Sequence, residues 1–346
     1  MNNRLVTMAR HPAQLTVSAE DFQILQVPVA EPGEGELLVK TIYIGVDAGC
    51  RAMMKDDPYV VNMAVGHPFV GTQIAQVVQS NAEGFAPGDF VHTMSTWSDF
   101  SVFKPAELGP WCYKIDGDLS LAVHLAGLGF TGFTAWVGLN EIARPTQDDT
   151  VVVSAAAGAV GFAAGQLARM TGTKRVVGIA GGANKCQYVV EEGGFDACVD
   201  YKDPAFADHL KTACPEGIDV YFENVGGKVQ QTVLPLMNDF GRIALCGQVA
   251  QYGDEASHGP NWFPLTLKRL KVQGFLANDH FECFAQFRGE TEKWFRSGDY
   301  KSPVSIVKGL ENCHEAINSL ISGKNLGRQV IQVAEALPIN TQRRIT

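Results

Sequence analysis

The stretch that most restricts the fold of this chain is TVVVSAAAGAVGFAAGQLARMTG, residues 150 to 172. A run of β-branched residues stops in small ones, and a helical apolar pattern starts directly after them. Ala156, Gly158 and Gly161 stand in the frame G-x-G-x-x-G, with alanine in the first place. In such a turn Gly158 lets a pyrophosphate approach the backbone and Gly161 lets the helix pack on the sheet. Ala159, Val160 and the rest of the helix amino end offer free N–H groups at the positive end of the helix dipole. The alternative is a tight turn in an ordinary α/β core. The strand before, the helix after and a further strand about 20 residues on favour the dinucleotide-binding turn.

The surrounding chain agrees. VVVS, RVVGIA, FDACVDY, IDVYFENVG, GRIALCGQV and RLKVQGFLA recur after about residue 125, with helical or mixed stretches between most of them. That is the rhythm of a parallel sheet covered on both faces, and six such strands fit a doubly wound Rossmann sheet with its ligand outside the strand carboxyl ends. The first 120 or so residues instead carry short, partly alternating strands cut by Pro and Gly, the mark of a compact β-rich domain. From PVSIVKGLENCHEAINSLISGKN to RQVIQV the chain holds a strand, a helix and a strand, too little for a domain of its own. The expected division is residues 1–125, completed by 303–346, and a dinucleotide-binding domain over 126–302. A length of 346 residues suits two domains.

Composition removes several classes. A net charge of -9 with scattered Lys and Arg leaves no basic footprint for nucleic acid. Eight cysteines without any C-x-x-C spacing point to free thiols in a reducing cytoplasm rather than a disulfide scaffold. The opening MNNRLVTMARHPAQL has no continuous apolar stretch, so no signal or anchor is expected there. Two uncharged runs, residues 119–140 and 150–168, approach the length of a membrane span. The first holds His124, three Ser or Thr and four Gly, between Asp118 and Glu141; the second passes from strand through glycine turn to helix. Both read as buried core.

The strand after the glycine turn decides which dinucleotide. At its end, where an NAD-binding fold carries Asp or Glu for the ribose 2′-OH, stand Ala180, Gly181 and Gly182. No carboxylate repels a 2′-phosphate there, and Lys185 follows in the loop. Tyr201, at the end of the next strand, adds a hydroxyl. NADPH is therefore expected in preference to NADH.

These residues, with GFTGFTAWVGL (129–139), GIAGGANKC (178–186), GFDACVDYK (194–202), GIDVYFENVGGK (217–228), GRIALCGQVAQY (241–252), VQGFLAND (272–279) and GKNLGRQVI (323–331), resemble the zinc-independent medium-chain dehydrogenase/reductases. The branch is that of the prostaglandin, alkenal and curcumin reductases. The resemblance covers most of the chain from residue 129 and is looser before it, through PGEGELLVK, VQSNAEGFAPGDFV and W-S-D-F at Trp97. It implies a GroES-like catalytic domain beside the Rossmann domain and a homodimer. It also implies a pyrophosphate held by Gly158 to Gly161, a 2′-phosphate at Lys185 and Tyr201, and a cofactor contact from Asn224. Cys246, Gly247, Phe275 and Asn325 match positions lining the nicotinamide half or its cleft, and Tyr59 matches a tyrosine near the substrate.

The chain departs from the family in places. Where relatives show D-P-Y-M-R it has Asp47-Ala-Gly-Cys-Arg51, and the family's G-x-T-A-Y becomes G-F-T-A-W at Trp136. Zinc-dependent relatives carry a cysteine ligand after the G-V turn and a Gly-His-Glu segment; here Val46-Asp47 and Gly66-His67-Pro68 occupy those places. Cys50 and His67 lack a third partner for a catalytic zinc, so no metal is expected. No G-x-S-x-G nucleophile elbow is present, and none of the tyrosines has a lysine four residues on. What remains is hydride chemistry run by the cofactor. Hydride delivered to the β-carbon of a carbonyl-conjugated alkene leaves charge on the carbonyl oxygen, for which a hydrogen-bond donor suffices. Tyr252 is the candidate donor, with the cofactor's ribose hydroxyl as the alternative. The expected activity is NADPH-dependent reduction of α,β-unsaturated aldehydes or ketones. A quinone reductase is the rival enzyme, and an NADPH-binding regulatory or structural protein the rival from another class.

Overall fold

The computed structural model describes residues 2–55, 63–115, 117–251, 261 and 263–338. In chain order its first elements are β1 (Asn2–Met8), β2 (Phe22–Pro28), β3 (Leu37–Gly45), α1 (Gly49–Met53), β4 (Val70–Ser80), β5 (Phe90–Thr96), β6 (Phe100–Phe103), α2 (Pro105–Leu108) and β7 (Tyr113–Ile115). An alternating series follows: α3 (Phe130–Val137), β8 (Thr150–Ser154), α4 (Ala159–Met170), β9 (Arg175–Ala180), α5 (Ala183–Gly193), β10 (Ala197–Asp200), α6 (Phe206–Ala213) and β11 (Ile218–Glu223). It continues with α7 (Gly227–Val233), β12 (Met237–Leu245), α8 (Phe263–Lys268), β13 (Lys271–Gly274) and α9 (Phe284–Ser297). The last elements are β14 (Val304–Lys308), α10 (Cys313–Ile321) and β15 (Arg328–Gln332). They group into two compact units, residues up to 125 with those from 304 onward, and residues 126–303.

In the first unit a seven-stranded sheet runs β14-β15-β3-β4-β5-β7, with β6 paired to β3, and β1–β2 form a separate antiparallel pair. The returning strand β15 lies antiparallel to β3, Ile331 opposite Ile44. Its Ile331, with Ala316 and Ile317 of α10, is buried in the same core as Val6, Met8, Phe69 and Trp97. Phe22, Phe69 and Trp97 form a row with ring centroids 5.1 and 5.2 Å apart. Each such side chain taken out of water contributes about 1.5–3 kcal/mol. That is why the terminal segment can return to an early strand.

The second unit is a six-stranded sheet in the order β10-β9-β8-β11-β12-β13, every neighbouring pair parallel. The chain leaves β8 in one direction for β9 and β10, then returns to β11 on the other side of β8. The ends of β8 and β11 are therefore the point where the strand order reverses, and a ligand crevice opens there. Val151, Val152 and Val153 in β8, and Val220, Tyr221 and Phe222 in β11, are fully buried, as central parallel strands covered on both faces must be. This doubly wound parallel sheet, together with a β-rich unit, is the α/β architecture the sequence announces.

The two uncharged runs dissolve into this core. Residues 119–140 become a short 3-10 turn at Leu121–Leu125 and α3, which passes into a π-helical turn, Gly138–Ala143. Residues 150–168 become β8, the glycine turn and most of α4. No helix among the described residues is long and apolar enough to cross a membrane.

Candidate functional site

The turn between β8 and α4 is built around one carbonyl. The Ala155 oxygen accepts the N–H of Gly158 at 2.8 Å. A Cβ on Gly161 would collide with that same oxygen and stand 2.8 Å from its carbon, so the start of α4 lies on the turn at a distance only glycine permits. At Gly158 an added Cβ would come within 3.2 Å of the same atom. The left-handed residue is Ala155, with φ 51°, one place before the alanine that fills the first position of the sequence motif. An L-residue held there costs about 1–2 kcal/mol, which the strand and helix on either side must offset. Gly158 is the N-cap, with no side chain over the amino end of α4, and the N–H groups of Ala159, Val160 and Gly161 lie in the first turn. These are the features of a cradle for an anionic diphosphate.

The end of β9 supplies the second contact zone. Gly182, at φ 98°, caps α5, and its N–H is bonded to the Asp200 carboxylate at 2.8 Å; the same oxygen accepts the Lys202 N–H at 2.9 Å. Asp200 thus ties the loop after β9 to the loop after β10. A Cβ on Gly181 would meet the Tyr201 hydroxyl at 3.1 Å, its ring at 2.8 Å and Lys202 Cε at 3.1 Å, so both side chains lie over the glycine. Lys185 is half-buried one turn away. Its ammonium is held below the usual lysine range, first by burial and then by the charge of Lys202. Two cations that repel one another, with a partly exposed phenol beside them, form a corner suited to a phosphate. Lys202 was not singled out in the sequence, although it directly follows Tyr201 in VDYK.

Beneath the crevice lies a buried carboxylate that periodicity concealed. Glu223, the last residue of β11, is fully buried; its Oε1 accepts the hydroxyl of Ser154 at 2.9 Å and the N–H groups of Val225 and Gly226 at 2.7 and 3.0 Å. Burial raises its pKa against those donors, the Tyr221 hydroxyl beside them included. Asn224 completes the junction, its backbone N–H bonded to Ser154 Oγ and its side-chain amide to the Ser154 carbonyl, both at 2.8 Å. The N–H groups of Cys246 and Gly247 then dock on the Glu223 carbonyl at 2.9 and 3.1 Å. Asn224, Cys246 and Gly247 are therefore brought together at the ends of β11 and β12. Burial, followed by Glu223, pushes the Cys246 thiol up to about 12, so it stays protonated and is no nucleophile at neutral pH.

The other candidates are more dispersed. Phe275, just after β13, packs edge-on against Phe222 at 6.3 Å, and a Cβ on Gly138 would stand 2.8 Å from its ring. Asn325 belongs to the other unit, where its amide donates to the Gly327 carbonyl at 2.9 Å. Tyr59 and Tyr252 lie outside the described residues. Trp136 is buried, and its indole N–H donates to Glu290 at 2.9 Å. Asp47 and Arg51, which flank the departures at residues 48–50, are both engaged within their own unit. Asp47 forms an ion pair with buried Arg328, and the Arg51 guanidinium donates to the carbonyls of Gln14 and Leu15 at 2.6 and 2.9 Å. His67 is exposed in a loop while Cys50 is buried. No group of three His, Cys, Asp or Glu among the described residues is placed to hold a metal.

Two family models match the chain, one described as the N-terminal domain of oxidoreductase over residues 4–110 and one as zinc-binding dehydrogenase over residues 159–292. The NADPH-dependent curcumin reductase of Escherichia coli is 39% identical over 341 residues, covering 96% of this chain and 97% of that protein. The NADP-dependent 2-alkenal reductase of Nicotiana tabacum is 36% identical over 315 residues, 90% of each chain. Among solved structures, CurA from Vibrio vulnificus in complex with NADPH superposes with a TM-score of 0.88 at 35% identity, covering 96% of this chain and 99% of that one.

Proposed function

The chain belongs to the zinc-independent medium-chain dehydrogenase/reductases, and from that premise we propose that it is an NADPH-dependent reductase of carbon–carbon double bonds conjugated to an aldehyde or ketone. The observation that supports the cofactor assignment is the end of β9, where two glycines stand in place of an acid, Tyr201 and Lys202 lie over Gly181, and Lys185 is close enough to feel the charge of Lys202. The cradle at Gly158–Gly161, which a Cβ would fill, fits the diphosphate of the same molecule. Asn224, Cys246 and Gly247, brought together at the ends of β11 and β12, are assigned to the cofactor, and so are Phe275 and Asn325.

When bound, NADPH supplies the hydride for the alkene's β-carbon. The protein's part is to align the alkene and to place a donor at the carbonyl oxygen, where charge develops. Tyr252 is assigned that donor and Tyr59 a substrate contact. A phenol with a reference pKa near 10 stays protonated at neutral pH, so it donates without a further activating group. The eight free cysteines fit a cytoplasmic setting. Exposed β13 edges the sheet, near exposed Phe263, Leu267 and Leu276, and we assign this apolar edge to the contact of a homodimer.

The test is the loss of NADPH absorbance with 2-alkenals, a curcumin-like dienone and a quinone. Turnover of the alkenals or the dienone is the expected result. Turnover of the quinone alone refutes alkene reduction, and inertness with all three leaves a binding protein without useful turnover.

A further inference from the structure

Eight cysteines without a C-x-x-C spacing gave no sign of a working pair, yet the fold makes one. Cys186, in the first turn of α5, and Cys198, in β10, bring their sulfurs to 2.9 Å, the Cys198 S–H donating to Cys186. We propose that Cys186 and Cys198 form a reversible disulfide that controls cofactor binding at the phosphate corner of this site.

The placement carries the argument. Cys186 follows Lys185 directly, and Cys198 lies two residues before Asp200, the carboxylate that joins the loops after β9 and β10. The two thiols thus link the elements that carry Lys185 on one side and Tyr201 and Lys202 on the other. A disulfide holds its sulfurs about 2.05 Å apart, so bond formation draws α5 and β10 together by less than about 1 Å of sulfur movement. Tyr201 and Lys202, which follow β10 directly, stand within 3.1 Å of where a Cβ on Gly181 would be, so a shift of β10 against α5 moves both side chains. That movement alters the corner assigned to the 2′-phosphate.

The chemistry favours Cys186 as the nucleophile. Its thiol is held below the usual range, chiefly by the Cys198 hydrogen bond, while Cys198 is pushed up. The oxidant is hydrogen peroxide, small enough for a side chain with only 9% of its residue surface exposed. The Cys186 thiolate attacks one peroxide oxygen, the O–O bond breaks, and the departing hydroxide takes a proton to leave as water. The resulting sulfenic acid is attacked by Cys198 sulfur; the S–O bond breaks, and the Cys198 proton leaves with the hydroxyl as a second water. Two thiols are oxidised and one peroxide is reduced.

The bond itself is independent of the proposed function, whereas its effect rests on the assignment of the 2′-phosphate to this corner. The experiment treats the full-length protein with hydrogen peroxide, blocks remaining thiols, and maps links by mass spectrometry before and after dithiothreitol. The expected result is a dithiothreitol-reversible link between residues 186 and 198. NADPH KM should rise roughly 3- to 10-fold, a fraction of one charge-assisted contact, with kcat little changed. In Cys198→Ser the sulfenic acid at Cys186 should persist and be trapped by dimedone. Oxidation of other cysteines with 186 and 198 unlinked overturns the proposal. So does a mapped link that leaves NADPH KM unchanged in a protein whose Lys185→Ala variant has a raised KM. If Lys185→Ala is equally without effect, the phosphate assignment fails and the control falls with it, while the link stands on the mass data alone.

Discussion

Replacing Lys185 by alanine isolates the charge on which cofactor choice depends. Two unit charges about 4 Å apart interact by about 4 kcal/mol at the effective dielectric of a protein surface. Half-burial and the repulsion from Lys202 already oppose this ammonium, so the net contact is smaller. A hydrogen bond to a charged group contributes about 1.5–3 kcal/mol. At about 1.4 kcal/mol per decade, NADPH KM should rise roughly 10- to 150-fold. NADH has no 2′-phosphate, and its KM should move less than about twofold by the same reasoning. Relief of the repulsion on Lys202 places the result toward the low end, and Lys185→Arg should recover most of the loss. The assay is steady-state kinetics with both cofactors at one fixed alkenal concentration, on variants of matched melting temperature. Equal weakening of NADPH and NADH, or an unmoved NADPH KM, would refute a phosphate contact at this lysine.

Four further outcomes are expected. Because Lys185 titrates below an ordinary lysine, its cation is lost as pH rises through that lowered pKa. NADPH KM should therefore climb on the alkaline side while NADH KM stays flat, and parallel profiles would count against the assignment. Gly161→Ala forces α4 off the Ala155 carbonyl; overpacking of about 1–3 kcal/mol should lower the melting temperature by several degrees and weaken both cofactors alike. Glu223→Ala strands the Ser154 hydroxyl and two N–H groups, a loss of about 3 kcal/mol or more, whereas Glu223→Gln keeps an acceptor; equal melting temperatures for the two variants would contradict this. In Tyr252→Phe, an unaffected kcat would transfer the proton-donor role to the ribose hydroxyl or water.

What the sequence disclosed follows from the range of each signal. The glycine turn and the end of β9 are local, since strand, glycines, capping position and lysine all fall within a few consecutive residues, and periodicity exposes them. The junction below them is not local: Ser154 and Glu223 meet across 69 residues, and a glutamate closing the apolar run IDVYFE looks like the end of a strand rather than a buried acceptor. Ala155 was hidden for another reason, because a left-handed backbone angle is invisible in a row of three alanines. Cys186 and Cys198 are 12 residues apart, a spacing that becomes meaningful only when a helix is laid against the following strand. Trp136 stands where the family has a phenol, and no local pattern shows that its indole N–H finds Glu290, nor that Arg51 is held by the carbonyls of Gln14 and Leu15.

Gly181 has one more consequence. Its backbone angle is not of the left-handed kind, and what a side chain there would meet are the movable ends of Tyr201 and Lys202 rather than main chain. An acidic residue at this position is therefore sterically within reach, and glycine codons become aspartate or glutamate codons by one base change. Cofactor preference in this protein is an evolvable trait, separable by a single mutational step from the strands and helices that hold the fold.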